Sequence, residues 1–144
     1  MVSKIIIRNP DISDYERVLD VMVPWWGGRD LRNKVYKGLF IHFTQTSFIV
    51  ENKDGELLAF LLGFLSQTHS DEGFINWVGV HPKHRNKGIA RVLYERFLEI
   101  ARNRGRTRIT ANTSVVNRAS MLWHKHMGFT VDKTNESFLF TRNV

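Results

Sequence analysis

Nine consecutive residues, Leu57-Leu-Ala-Phe-Leu-Leu-Gly-Phe-Leu65, carry no charge and no polar side chain. The run falls far short of the ~20 apolar residues a membrane-spanning helix needs. It has the length of a strand, and a strand apolar at odd and even positions alike must be covered on both faces. Its flanks agree: Asn52-Lys-Asp-Gly55 reads as a hairpin turn and residues 66–72 as a polar loop. Such a strand calls for neighbours in a mixed sheet with helices on each side, an α/β (α+β) architecture. Ten Phe, four Trp and three Tyr in 144 residues supply the core, argue against disorder and fit one domain over residues 1–144. No longer apolar run occurs, and Met1-Val-Ser-Lys-Ile has no signal-peptide pattern, so a cytoplasmic setting without membrane contact is expected. Cysteine is absent, which removes disulfides, thiolate metal ligands and a cysteine nucleophile.

Periodicity places the other elements. Residues 5–8 read as a strand. A helix begins near Ser13, where Ser13 and Glu16 have capping-box spacing and Tyr15, Val18, Leu19 and Met22 fall on one face. Pro24 and Gly27-Gly28 break the chain around Trp25 and Trp26. Leu31, Val35, Leu39 and Phe43 make the stripe of a second helix over residues 30–43. Strands follow at 47–51, 57–65 and 73–80, and Gly79 suggests a bulge or a close backbone approach. Residues 88–104 give the strongest helix, with Ile89, Val92, Leu93, Phe97, Ile100 and Ala101 as its apolar stripe and Gly105 suited to its C-terminal cap. A strand at 108–113, a helix at 117–127 and strands at 130–134 and 137–142 complete the order β-α-α-β-β-β-α-β-α-β-β.

The net charge of +7 is unevenly spread. Residues 1–80 hold 8 basic and 10 acidic side chains, net −2, and residues 81–144 hold 13 basic and 4 acidic, net +9. Eight of the basic residues fall from Lys83 to Arg106. At the centre of this stretch a strand ends, a basic loop follows and Gly88 opens a helix. A helix start offers unpaired N–H groups and the positive end of the macrodipole, a ready anion site. Arg85 and Lys87 add charge, and Gly88 with the small Ala90 would admit a diphosphate. A solvated basic loop before an ordinary helix is the plainer alternative.

The same residues carry a family resemblance. Arg85-x-x-Gly88-x-Ala90 resembles the Arg/Gln-x-x-Gly-x-Gly/Ala signature of the GNAT superfamily of N-acetyltransferases. A strand ending Val78-Gly-Val80-His-Pro82 precedes it, and Ile89-Ala-Arg-x-Leu-Tyr leads the helix after it. A second block, from Asn117-Arg-Ala-Ser120 through His124 to Gly128-Phe129, resembles the family's Asn-x-x-Ala/Ser-x-x-x-Tyr-x-x-x-Gly-Phe. The resemblance implies an acetyl-CoA-dependent enzyme whose sheet splays between its fourth and fifth strands. It implies that Val78, Gly79 and Val80 pair with the pantetheine arm. It further implies that Asn86, Lys87, Gly88, Ile89, Ala90 and Arg91 wrap the diphosphate beside Arg85, and that Asn117 reaches the pantetheine. A plain helix N-cap is the other reading of Asn117, and the two are compatible.

The implied reaction is direct acetyl transfer to a primary amine of a small molecule, an amino-acid-like compound or a peptide. No Gly-x-Ser-x-Gly elbow offers a serine route. A backbone N–H near residues 78–80 could hold the oxyanion. The family often has tyrosine where this chain has His124, which could protonate the departing thiolate or only pack there. His126 is expected on another, solvent-facing side of that helix. No side-chain base stands out: Asn76 and Asn112 occupy plausible acceptor-site positions but lack basicity, and Asp71, Glu72 and His69 lie at the far end of the strand. Trp25, Trp26 and Arg29 are candidates for the acceptor wall, with aromatic core packing as the alternative for the tryptophans. Six histidines lack metal-ligand spacing, so no metal is expected. Two other classes compete: a basic nucleic-acid-binding module, which the resemblance disfavours, and a CoA-binding protein without turnover. Homodimerisation is possible, but no exposed stripe demands it.

Overall fold

The computed structural model describes residues 4–114 and 117–144. In chain order these form β1 (Ile5–Arg8), α1 (Asp14–Trp25), β2 (Phe48–Asn52), β3 (Leu57–Leu65), β4 (Glu72–Val80), α2 (Ile89–Asn103), β5 (Arg108–Ser114), α3 (Arg118–His126), β6 (Thr130–Lys133) and β7 (Ser137–Asn143). The strands make one mixed sheet in the order β1-β2-β3-β4-β5-β7-β6. The β4–β5 pair is parallel and the other neighbours are antiparallel.

The apolar run Leu57–Leu65 is β3, buried from Leu57 to Gly63. Two cores cover it. Leu58 and Leu61 join Leu93, Phe97 and Ala101 of α2. Phe60 and Leu62 join Val18, Met22 and Trp25 of α1, with Val35, Leu39 and Phe40. Phe97 fixes how α2 sits on the sheet: a Cβ at Gly63 or Gly73 would come within 2.7 Å or 3.2 Å of its ring. The two glycines form a notch for one aromatic side chain, and close packing of this kind tolerates little shift.

The second helix expected over residues 30–43 does not form. Its place is taken by short 3-10 turns at Arg32–Lys34 and Lys37–Phe40, separated by extended Val35 and Tyr36. The residues explain this. Val35, Tyr36, Phe40 and Ile41 are mediocre helix formers and Gly38 is poor. The Asp30 carboxylate also holds the Arg32 backbone N–H and guanidinium in a local turn. Val35 and Leu39 are nonetheless buried, because the turns present the same apolar positions to the sheet.

The start and end of α1 also differ from expectation. The capping box is not made: Asp11 Oδ1 accepts from Ser13 N at 2.8 Å, and Ser13 makes no side-chain cap bond. Pro24 sits within the last turn of α1 instead of breaking it, and the reversal falls at Gly27 and Gly28, both at positive φ. Asp14, almost fully buried, is held by Arg8 at 2.8 Å and Arg17 at 3.1 Å, and both arginines also reach Glu51.

Candidate active site

The sheet opens at a defined residue. The β4–β5 ladder runs from Glu72↔Arg108 to Ile75↔Ala111. On its other edge β4 stays paired with β3, through Leu62↔Trp77 and then Gly63↔Ile75. Asn76 is therefore an extra residue, a bulge. Bulges bend and twist a strand, and this one lies where β4 leaves β5. The bulge thus falls at Asn76 and not at Gly79. Gly79 meets the other expectation, close approach: a Cβ there would lie 2.7 Å from the Phe60 ring and 2.9 Å from that of Trp26. Beyond Ile75 one edge of β4 has no strand partner among the described residues, and such an edge can accept an extended ligand by backbone pairing.

Two cavities flank this opening. One, of about 900 Å³, runs past Val78, Gly79 and Val80 to Arg85, Asn86, Gly88, Ile89, Ala90 and Arg91 at the start of α2. Here Asn86 has φ 63° and Gly88 φ 83°. Two left-handed residues so close together curl the loop ahead of α2, and backbone turns that mix right- and left-handed residues are where N–H groups form anion-binding nests. Asn86 is a non-glycine residue type that tolerates this region. Lys87 lies outside the cavity wall. Arg85 lines it, but its Nε donates to the Val80 carbonyl at 3.1 Å and its Nη2 to the Trp25 carbonyl at 2.7 Å, so this side chain clasps the loop to the end of α1. His126 is solvent-exposed, as expected, yet it stands on the rim of the same cavity.

The second cavity, about 610 Å³, is lined by Asn76, Trp77, Asn112, Arg29, Lys34 and Glu136 among others. Val78, Tyr94, Asn117, Ser120 and His124 line both cavities. The tryptophans divide. Trp25 is buried, stacks on Phe60 at 5.8 Å and borders only the first cavity, whereas Trp26 borders both and meets Trp77 edge-on at 6.1 Å. Asn117 is the N-cap of α3, its Oδ1 accepting from Ser120 N at 3.1 Å, and it stands between the two cavities as well. The carboxylates at the start of β4 are engaged elsewhere: Arg108 pairs with Asp71 at 2.9 Å and with Glu72 at 2.8 Å. Among the described residues, no group of histidine and carboxylate side chains could hold a metal ion.

His124 is nearly buried, and burial pulls its pKa down to about 4, against a weaker opposing hydrogen bond to the Ser120 carbonyl. Its Nε2 lies 2.7 Å from the Tyr94 hydroxyl. Tyr94 is the main residue that sequence reasoning missed. It sits amid the apolar stripe of α2, and nothing in the pattern separates a tyrosine whose hydroxyl serves a site from one that only packs. Trp77, Lys34 and Glu136 were missed as well. The Trp77 indole N–H is buried without a partner among the described residues, which is uncommon for a buried donor. The excess basic charge has partly structural uses. Arg106 donates to the Ser66 and His69 carbonyls at 2.8 and 3.1 Å, and Arg104 to Gln45.

A sheet opened beside a bulge, next to a helix start curled for an anion, is the architecture of an acyl-CoA-dependent transferase. The sequence model of the acetyltransferase (GNAT) family matches residues 15–129, and the chain belongs to that family. It is 41% identical over 54 residues to the L-methionine sulfoximine/L-methionine sulfone acetyltransferase of Salmonella typhimurium, a match covering 38% of this chain and 32% of that protein. The aligned segment thus spans about a third of the length of the curated relatives. Among solved structures, the PaiA N-acetyltransferase of Thermoplasma acidophilum in complex with coenzyme A superposes with TM-score 0.83 over 98% of this chain and 99% of its own, at 16% identity. Diaminobutyrate acetyltransferase EctA of Paenibacillus lautus, in complex with L-2,4-diaminobutyric acid and coenzyme A, superposes with TM-score 0.76 over 97% and 95%, at 23% identity.

Proposed function

We propose that this protein transfers the acetyl group of acetyl-CoA directly to the primary amine of a small amino-acid-like molecule. The observation that carries the reading is the free β4 edge beyond Ile75 leading to the left-handed turn at Gly88. A pantetheine arm has amides to pair with that edge, and a diphosphate suits the converging N–H groups at the start of α2. A Cβ at Gly88 would meet nothing within 4 Å, so the approach to the backbone is open. Val78, Gly79 and Val80 would hold the arm, and Asn86, Gly88, Ile89, Ala90 and Arg91 the diphosphate. Asn117, at the junction, would meet the pantetheine end. Bound there, acetyl-CoA supplies a thioester activated toward attack by an amine.

The second cavity suits the amine acceptor. Arg29 and Lys34 form no ion pair among the described residues, so both are available to a carboxylate. Trp77 offers an unused N–H to an oxygen, while Asn76 and Asn112 can orient the amine. The amino-acid-derived substrates named for the Salmonella relative and for the Paenibacillus structure support this class. Glu136 stands at the exposed rim, and no carboxylate lies deep in the gap, so the amine enters as the free base or sheds its proton by way of other groups. His124 belongs to the proton handling of the leaving thiolate.

Calorimetric titration with acetyl-CoA, followed by thiol release across a panel of L-amino acids, their amides and simple amines, tests the reading. The expected result is binding, with release for free amino acids and weaker release for their amides. Binding without release for any amine overturns transfer, and absence of binding overturns the donor assignment.

A further inference from the structure

The partners of His124 fix where its proton resides. Its Nδ1 lies 2.8 Å from the Ser120 carbonyl oxygen, an atom that can only accept. Nδ1 therefore carries the ring hydrogen, Nε2 presents a lone pair, and the Tyr94 hydroxyl 2.7 Å away donates to it. The ring cannot turn to exchange the two nitrogens without losing both bonds, because Phe140 stacks on it at 3.9 Å with Trp123 and Phe129 edge-on around it. The groups facing it are Tyr94 from α2, Ser120 and Trp123 from α3, Phe129 from the following turn and Phe140 from β7, none of them charged. Through neutral pH the nitrogen aimed at Tyr94 holds no proton to give away.

We propose that the Tyr94 hydroxyl is the group that meets the reacting atoms and carries the amine's proton to the departing thiolate, with His124 acting only through it. The inference rests on the acetyl-transfer reading above. Tyr94 lines both cavities, the one assigned above to the amine and the one assigned to the thioester. As the amine nitrogen forms its bond to the acetyl carbon, the carbon–sulfur bond breaks and its electron pair leaves on sulfur. Nitrogen must then lose one proton and sulfur gain one. Tyr94 oxygen takes the proton from nitrogen while its own proton passes to His124 Nε2. The reverse shift returns the proton from Nε2 to Tyr94 as Tyr94 delivers one to sulfur, and both side chains end as they began. The histidine is a positioning residue that also lends its lone pair. Burial pushes the tyrosine's own ionisation up, so a lone tyrosinate is disfavoured, and the lone pair behind it lets the oxygen exchange protons without becoming an anion.

The first test needs no variant and no substrate. Nitrogen-15 spectra of the unliganded protein are expected to show His124 protonated at Nδ1 and bare at Nε2 from pH 5 to 9; a proton on Nε2 in that range overturns the inference. The second test is kinetic. Tyr94→Phe keeps the ring and its packing, and is expected to lower kcat by about 10²-fold or more, the usual scale of proton-transfer catalysis, with the KM for acetyl-CoA unchanged. His124→Gln offers the hydroxyl an acceptor that cannot take up its proton, and is expected to lower kcat comparably while leaving acetyl-CoA binding intact. A Tyr94→Phe enzyme within twofold of the parent kcat refutes the inference but leaves acetyl transfer standing. A parent protein that releases no thiol with any amine brings down both.

Discussion

Replacing Gly79 by alanine probes how tightly the wall between the cavities is assembled. The new Cβ would lie 2.7 Å from the Phe60 ring and 2.9 Å from the Trp26 ring, well inside the ~3.5 Å at which carbon atoms pack without repulsion. The backbone does not oppose alanine, since Gly79 is not among the positive-φ residues, and restricting the unfolded chain favours the variant by roughly 0.5–1 kcal/mol. Phe60 is fully buried between Trp25 at 5.8 Å and Trp26 at 6.0 Å, so it has nowhere to go. Relief must come from the half-buried Trp26. Overpacking of this kind costs about 1–3 kcal/mol, leaving a net loss of up to roughly 2.5 kcal/mol and a Tm lower by up to roughly 10 °C for a chain of this size. Because Trp26 borders both cavities, acetyl-CoA affinity should fall with it, by about fivefold for each kcal/mol transmitted. Thermal unfolding and calorimetric titration read the two effects. Gly55→Ala is the control: φ is +82° and its Cβ would meet nothing within 4 Å, so it should lower Tm through backbone strain alone and leave affinity untouched. A Gly79→Ala protein with parental Tm and parental affinity would show that Phe60 and Trp26 do not fill this space.

Two further outcomes follow from the charged and polar groups. Burial alone would raise the Asp14 carboxyl, but hydrogen bonds from Arg8, the Asp11 N–H and Arg17 outweigh it and hold the pKa below its ordinary value. The stabilisation is thus complete above the unfolded value near ~4 and drains away as pH falls through the lower folded value. Asp14→Asn should cost about 2–3 kcal/mol at pH 7 and show a flatter decline below pH 4 in urea unfolding; equal pH profiles for the two proteins would refute the network's role. Trp77→Phe removes the unpartnered indole N–H, and should raise KM for the amine several-fold while leaving that for acetyl-CoA unchanged, a split that initial-rate kinetics resolves.

Sequence reasoning succeeded where a physical demand leaves one solution. The run at residues 57–65 could only be a doubly covered strand, and the turn at Asn52–Gly55 forms with Asn52 Oδ1 accepting from the N–H groups of Asp54 and Glu56. The start of α2 was equally readable, and Gly88 caps it in the left-handed region at φ 83°. It failed where several geometries satisfy one pattern. The spacing of Leu31, Val35 and Leu39 suits a helix, but 3-10 turns broken by extended residues bury the same side chains. Gly79 could be a bulge or a close approach on the sequence and proves to be the close approach; the extra residue, Asn76, was not foreseen, because a bulge is a relation between two strands and leaves no mark on one. Tyr94 was invisible for a related reason: only the fold brings its hydroxyl to the imidazole of a helix 30 residues away in sequence.

The two walls of the opening are made of different chemical material. On the proposed donor side the contacts would come from a strand edge and a helix start, backbone groups that nearly any sequence can present. On the proposed acceptor side they would come from side chains, some carried on the short turns at Arg32–Lys34 and after α1 and others, Asn76, Trp77 and Asn112, on β4 and β5. Mutation can rewrite the second wall without disturbing the first. The fold itself tolerates extensive change of sequence: the Thermoplasma structure superposes over 99% of its length at 16% identity. Under the proposed reading, saturation of residues 26–36 together with Asn76, Trp77 and Asn112 is the direct route to altering what is acetylated.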